Sequence, residues 1–343
     1  MNHDAARSVL ILGANGRLGQ AAATAFAARG WRVIAQTRRP LGYALPGVTA
    51  ANVALDDTDA LFAAARGVEA IVYGIHPPYP RWAREALPML RLAIELALRL
   101  DARLLFPGTI YNFGAGMPAR LTEATPQRPT TSFGTIRCQM EDELAARPGL
   151  RSAVLCAGDF FGSGDGVWFD RVLTKSIARG TLVYPGPLDQ PHAWAYVPDL
   201  ARAFVALAEH AALPAFSRWM FAGYTLTGAE LLTAIEAAAA PLGLRPANGF
   251  RRGTLPWPVI RLAGLVVPTW RAISQLSYLW RTPHALDGSA LQALVGPLAT
   301  TPLATALRDT LAATSRAPVG APGYDGAASV ARGASPRRAT TKA

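Results

Sequence analysis

The stretch Ser8-Val9-Leu10-Ile11-Leu12-Gly13-Ala14-Asn15-Gly16-Arg17-Leu18-Gly19 runs an apolar strand into a three-glycine turn and then into a helix. Gly13 permits a tight turn, Gly16 leaves room for a phosphate against the backbone, and Gly19 lets the helix pack closely on the strand. Amides at the helix start then offer N–H groups and the positive end of the helix dipole to phosphate oxygens. Glycine-rich turns also join strands to helices for structural reasons alone, so the context matters. A second strand, Trp31 to Ala35, is expected one helix later, as a dinucleotide-binding βαβ unit requires. The spacing therefore predicts cofactor contacts from Gly13, Asn15, Gly16, Arg17, Leu18 and Gly19.

The residues after that second strand point to the kind of dinucleotide. An acidic side chain there would bind both ribose hydroxyls of NAD and repel the extra phosphate of NADP. This chain has Gln36-Thr37-Arg38-Arg39 instead. A guanidinium matches a phosphate with paired donors, so NADP(H) is the expected cofactor and NAD(H) the second choice. Arg38 is the expected phosphate ligand, with Thr37 beside it and Arg17 as a helper. The structural alternative is a pair of solvated loop arginines.

At 343 residues and 51% hydrophobic content the chain can bury a sizeable core in one large or two unequal domains. Its two cysteines, Cys138 and Cys156, are too few for a disulfide framework and lack metal-ligand spacing, so no metal is expected. The formal charge of +11 is scattered and no aromatic-basic recognition motif accompanies it, which argues against nucleic acid. Part of that charge lies in the last residues, 313–343, which are poor in large apolar side chains and read as a disordered basic tail. The N-terminal residues lack a signal-peptide layout, and a cytoplasmic location is expected. The apolar run Leu255–Trp270 is interrupted by Pro256, Pro258, Arg261 and Pro268, falling short of the roughly 20 apolar residues a spanning helix needs. Amphipathic packing within a domain is the expectation for it, with no membrane partner.

Strands and helices alternate through the first half. Strands are expected at Ser8–Leu12, Trp31–Ala35, Val48–Val53, Ala70–Tyr73, Arg103–Phe106 and Ser152–Cys156, and helices at Leu18–Ala28, Thr58–Ala65, Arg81–Leu100 and Gly134–Ala146. This is the pattern of an α/β fold with a doubly wound parallel sheet. Ligands of such sheets sit beyond the carboxyl ends of the strands. Asp56, Gly74 to His76, Pro107 to Tyr111 and Ala157 to Phe160 thus become site candidates.

These residues carry a family resemblance. The chain resembles extended or atypical members of the short-chain dehydrogenase/reductase superfamily, the group that includes nucleotide-sugar epimerases and dehydratases. The likeness runs from the glycine motif through Pro107-Gly-Thr-Ile-Tyr-Asn-Phe-Gly114, Cys156-Ala-Gly-Asp-Phe-Phe-Gly162 and Trp194-Ala-Tyr-Val-Pro-Asp-Leu-Ala-Arg-Ala203 to Asp287-Gly-Ser-Ala-Leu-Gln-Ala-Leu-Val-Gly296. It implies a Rossmann sheet over residues 1–158, with 190–222 returning to it. A smaller, mostly helical substrate part is then formed by 159–189 and 223–312.

In that superfamily a Ser or Thr orients the reacting oxygen, and a Tyr four residues before a Lys passes the proton. Thr109 matches the Ser/Thr. At the Tyr and Lys positions this chain reads Phe133-Gly-Thr-Ile-Arg137, and its only lysines are Lys175 and Lys342. Arg137 keeps a positive charge and hydrogen-bond donors for a ribose, but it does not readily deprotonate, and Phe133 has no proton to give.

Proton transfer must then be rerouted or lost. Tyr111 lies two residues beyond Thr109, on the same face of a continuing strand, and is the expected substitute, aided by Arg137. His76 is a second candidate near the nicotinamide. On the substrate side Asp159, Phe160, Phe161, Trp168, His192, Trp194 and Tyr196 form an aromatic-rich set suited to an apolar or ring-bearing ligand, with Asp159, Phe160, His76 and Trp194 the expected contacts. Asp199 reads as a helix-start residue rather than a catalytic carboxylate.

The expected function is redox or epimerase-like chemistry on a small carbonyl, hydroxyl or sugar-like compound, by a monomer or homodimer. Loss of the Tyr-Lys pair leaves a second reading, a catalytically silent NADP(H)-binding sensor.

Overall fold

A computed structural model describes residues 7–164 and 166–316. Strands β1 (Ser8–Leu12), β2 (Arg32–Gln36), β3 (Val48–Ala51), β4 (Ala70–Tyr73) and β5 (Arg103–Thr109) alternate with helices α1 (Arg17–Ala28), α2 (Thr58–Ala64) and α3 (Trp82–Leu100). A short β6 (Arg120–Leu121), α4 (Ser132–Ala146), β7 (Ser152–Ala157) and β8 (Asp159–Phe161) follow. Next come β9 (Thr181–Tyr184), β10 (Pro191–Tyr196), α5 (Val197–Glu209), β11 (Phe216–Met220), β12 (Tyr224–Thr227) and α6 (Gly228–Ala239). The chain continues through β13 (Arg251–Thr254), α7 (Trp257–Ala263), α8 (Pro268–Gln275), β14 (Ala285–Leu286), α9 (Ser289–Val295) and α10 (Leu303–Arg316). The expected tail, 313–343, starts inside α10 and from residue 317 lies outside the described residues.

Seven strands form one sheet in the order β11-β7-β5-β4-β1-β2-β3. Every adjacent pair in it is parallel. This is the doubly wound α/β sheet the alternation predicts, and its strand order reverses between β1 and β4. Strands of such a sheet are covered on both faces, so they read as unbroken apolar runs. In β1, Val9 and Ile11 join one core with Phe26 of α1 and Phe204 of α5, while Leu10 and Leu12 join the opposite core with Leu90 of α3 and Phe106.

Element ends differ from the sequence-based expectation by one to three residues, and three differences bear on the sheet. The second strand is shifted by one residue, so Gln36 pairs with Leu12 at its end. β5 runs on to Thr109, because β7 pairs with it as far as Ala157. The seventh strand, β11, was not among those expected, and it extends the sheet beyond β7.

Residues drawn from 161–196 and 224–311 build a second core. β8, β10 and β12 form a three-stranded sheet, and Phe169, Tyr184, Trp194, Trp257, Trp280 and Leu307 pack around it. Asp199, in the first turn of α5, accepts hydrogen bonds from the Thr301 amide (2.8 Å) and the Thr301 hydroxyl (2.7 Å), holding the segment that leads into α10. The run Leu255–Trp270 forms α7 and the turn into α8. Trp257 is buried there, but Leu262, Leu265 and Val266 stand in solvent, so packing within the domain does not account for the whole run.

The glycine turn is a tight joint. A Cβ on Gly19 would come within 2.3 Å of the Gly13 carbonyl oxygen, and one on Gly74 within 2.6 Å of the Leu12 carbonyl oxygen. Both obstructions are backbone and cannot swing aside. Gly19→Ala is expected to lower stability by about 1–3 kcal/mol through overpacking, measured by urea unfolding without cofactor.

Candidate active site

Gly13 adopts a positive φ of 73° and turns the chain from β1 toward α1. No side chain caps α1 at Gly16, and its first turn holds no acidic residue. Its amino end is thus an open positive pole beside a glycine backbone. Asn15 ties this turn to the loop after β2: its amide nitrogen donates to the Thr37 hydroxyl (2.8 Å) and the Pro40 carbonyl (3.0 Å), and its oxygen accepts from the Gly42 amide (2.9 Å). Gln36 is buried where an acid was sought, its oxygen accepting the Gly13 N–H at 2.9 Å and its nitrogen donating to Val53 at 2.7 Å. Arg38 and Arg39 are exposed on the same loop, and Asp56 is exposed beyond β3.

Arg17 departs from its expected role as a helper to Arg38. Its guanidinium donates to the Gly162 carbonyl and pairs with Asp170 at 2.6 Å. Both side chains are buried, and desolvation pushes the Asp170 carboxyl above its usual range despite the arginine. The amides of Gly166 and Val167 also donate to Asp170. The segment after β8 is thereby strapped to the start of α1.

A cavity of about 470 Å³ opens beyond the carboxyl ends of β1, β4, β5 and β7. Gly16, Arg17, Leu18 and Gly74 line it together with Thr109, Tyr111 and Arg137. His76, Asp159 and Phe160 line it as well, so most of the candidates named from sequence converge. Trp194 does not. It is buried in the second core, packed near His192 and Trp280, behind the cavity rather than on its wall.

Thr109 ends β5 and donates to the Asn112 side-chain oxygen at 3.2 Å. Asn112 donates in turn to Glu141 of α4 at 2.8 Å, and Glu141 also accepts from Gln127 (2.8 Å) and from the Arg218 guanidinium (2.7 Å). Glu141 is fully buried, and three donors with one positive charge compensate it. Sequence reasoning missed this network, since its members lie on four separate segments.

Tyr111 reaches the cavity by a different route from the one expected. The strand stops at Thr109 and a 3-10 turn, Ile110–Phe113, follows, so the two side chains do not share a strand face. The Tyr111 hydroxyl instead lies 3.1 Å from that of Tyr79, another cavity residue the sequence reading did not single out. The Tyr79 ring packs 5.0 Å from Phe133, the position at which the superfamily's tyrosine is missing. Burial and the neighbouring Tyr79 raise the Tyr111 pKa well above its ordinary value, with the Arg137 charge acting in opposition.

Arg137 is buried one helical turn beyond Phe133. Its guanidinium carbon lies 5.1 Å from the ring centres of both Trp82 and Phe106, and one terminal nitrogen donates to the Pro107 carbonyl at 3.3 Å. Its Nε has no hydrogen-bond partner within the chain. Burial pulls its pKa down from the usual arginine value.

Behind the cavity, the Asp159 carboxylate lies 2.8 Å from Nε2 of buried His192. His192 stacks on Trp280 at 4.5 Å and meets His284 edge-on at 4.5 Å. His284 bonds through Nδ1 to the Thr282 carbonyl (2.8 Å), which makes Nδ1 the donor and leaves Nε2 unpartnered toward the interior.

A parallel sheet whose open end joins a glycine-lined helix start to a threonine at the end of β5 defines a nicotinamide dinucleotide-binding protein of the short-chain dehydrogenase/reductase type. Residues 9–216 match the NAD dependent epimerase/dehydratase family. The chain belongs to that family, and is an enzyme of its type. Solved structures share the fold at low identity. MoeE5 in complex with UDP-glucose and NAD superposes with a TM-score of 0.67 at 19% identity, over 90% of this chain and 99% of that one. The UDP-glucose 4-epimerase of Bifidobacterium longum in complex with NAD+ and UDP gives 0.69 at 16% identity, over 91% and 99%. The UDP-Glc/GlcNAc 4-epimerase of Campylobacter jejuni gives 0.68 at 15% identity, over 91% and 100%. Comparison with curated protein sequences gives no match.

Burial and the adjacent His192 push the His284 pKa down to about 3. An unfolded chain would protonate this ring near pH 6.5, so its contribution to stability is intact above about pH 6.5 and is lost progressively as pH falls toward the folded value. His284→Asn, which keeps a donor for Thr282, is expected to flatten the stability profile by about one proton between pH 6.5 and 4. Urea unfolding across that range measures it.

Proposed function

We propose that the protein is an NADP(H)-preferring oxidoreductase of a small, apolar or ring-bearing carbonyl or hydroxyl compound, with Tyr111 replacing the proton donor absent at Phe133. The observation that carries this reading is the Tyr111–Tyr79 hydroxyl pair, 3.1 Å apart, in the same cavity as Thr109 and Gly16.

The chain's residues suit a nicotinamide dinucleotide on two independent counts. The amino end of α1 lacks any side-chain cap, which leaves it to an anion. Arg137 lines the same cavity with its Nε unpartnered within the chain, and its guanidinium would offer a donor for a ribose hydroxyl. Leu18 and Gly74 would bound the cradle, and Thr37 and Asn15 hold the loop that displays Arg38. With neutral Gln36 in place of an acid, Arg38 would take the NADP phosphate. When bound, the cofactor supplies or accepts hydride at the nicotinamide C4.

Thr109, its hydroxyl fixed on Asn112, would orient the substrate oxygen. Tyr111 would donate a proton to that oxygen as it gains alkoxide character, and Tyr79 would return a proton to Tyr111 and recover its own from water. An alkoxide is a far stronger base than a phenolate, so the transfer runs downhill even from a tyrosine of raised pKa. The walls formed by Ile75, Pro78, Tyr79, Trp82, Trp168 and Ile273 favour an apolar ring over a strongly charged ligand.

Tyr111→Phe is expected to cut kcat/KM for carbonyl reduction about 100- to 1,000-fold, against about 10-fold for Tyr79→Phe, in an NADPH-oxidation assay over aldehydes, ketones and nucleotide sugars. Full turnover by both Thr109→Ala and Tyr111→Phe would remove the proposed oxygen-handling role. Because Tyr111 stays protonated at neutral pH, alcohol oxidation should climb with pH to beyond pH 10, as the phenolate forms, while reduction stays flat near neutrality.

Arg38→Glu is expected to weaken NADPH binding about 10- to 100-fold and leave NADH binding nearly unchanged, measured by fluorescence titration. Tighter binding of NADH than NADPH by the unaltered protein would refute the phosphate role of Arg38.

A further inference from the structure

The turn joining α7 to α8 exposes an apolar tip. Leu262 is 70% exposed, Leu265 69% and Val266 81%, with Val259 at 47% one turn earlier on α7. Large side chains exposed this far and this close together mark contact surfaces. The stretch of chain that carries the tip has charge of one sign. Between Glu236 and Asp287 the chain carries arginines at 245, 251, 252, 261, 271 and 281 and no aspartate or glutamate. Only Arg252 is neutralised among the described ion pairs, by Glu236. Arg271 is placed at the tip itself, since its Nε donates to the Gly264 carbonyl (3.0 Å) and its terminal nitrogen to the Leu265 carbonyl (2.8 Å). Trp270, half-buried, lies beside it.

We infer that this tip docks on the surface of an anionic lipid bilayer. Exposed aliphatic side chains set among arginines match the interfacial region, where apolar groups enter the acyl boundary while guanidinium groups meet lipid phosphates. A tryptophan at the rim suits the same boundary. No described helix is long and apolar enough to cross a membrane. A second copy of the chain is a poorer occupant, because a two-fold contact through this surface would oppose arginines with arginines.

The tip also adjoins the cavity. Thr269 and Ile273 of α8 line its wall, three to seven residues beyond Val266. The bilayer would therefore lie at the mouth through which an apolar substrate enters, a consequence that rests on the proposed function, whereas the docking itself does not.

The test is co-flotation of the full chain with vesicles of phosphatidylcholine alone or mixed with phosphatidylglycerol, without substrate. Binding at least tenfold stronger to the anionic vesicles is expected, falling as salt rises. The double substitution Leu265→Ser/Val266→Ser removes only exposed side chains. It should reduce vesicle binding at least tenfold and leave thermal unfolding and NADPH binding unchanged. No flotation, equal binding to neutral and anionic vesicles, or undiminished binding by the double variant would each overturn the inference. So would a dimer of the unaltered protein that the double variant abolishes, which would assign the tip to self-association. Because no step requires turnover, failure here leaves the proposed chemistry standing, and absent turnover leaves the docking standing.

Discussion

The contact of backbone on backbone at Gly13, Gly19 and Gly74 is the constraint from which the rest of the architecture follows. It seats α1 flush against the ends of β1 and β4, at the point where the strand order reverses. A helix set even one methyl group further out would withdraw its amino end from the cleft. The same seating lets Asn15 reach Thr37, Pro40 and Gly42, so the turn and the loop after β2 form one rigid rim.

A second organising element is one face of α4, along which Phe133, Arg137 and Glu141 follow at intervals of four residues. The three are buried by different means. Phe133 packs among rings, Arg137 lies against the faces of Trp82 and Phe106, and Glu141 is surrounded by three donors. Asn112 carries the order imposed by Glu141 to Thr109, which links a buried charge on a helix to a hydroxyl at the end of β5. Beside Phe133, two tyrosines on 3-10 turns, Tyr79 and Tyr111, bring their hydroxyls together in the cavity.

How far the sequence revealed this depends on the range of the interactions involved. The glycine turn and the parallel sheet were legible because each rests on short-range patterns: apolar runs of five residues, a three-residue glycine spacing, and helices between strands. Most cavity residues were legible too, since a parallel sheet places its strand ends together. Tyr111 does line the cavity, but not by the strand geometry expected of it, because nothing local signals that β5 gives way to a 3-10 turn at Ile110. Trp194 was misplaced, and the ion pair of Arg17 was missed, for a related reason. Their partners, Trp280 and Asp170, are distant in sequence, and an aromatic or basic residue near a motif carries no mark of which way it faces. Tyr79 and Glu141 gave no signal, one following a pair of prolines and the other lying in the middle of an ordinary helix.

The grip of Asp199 on Thr301 has a mechanical consequence. This carboxylate sits on α5, which packs on the main sheet, yet it holds the lead into α10, which packs on α6 in the second core. The lead into the last described helix is thus fastened to the layer on the main sheet by Asp199 and, through Arg202, by a second side chain of α5. Melting of the C-terminal half and loss of the dinucleotide half should accordingly proceed as a single cooperative event, with no stable half-molecule surviving on its own.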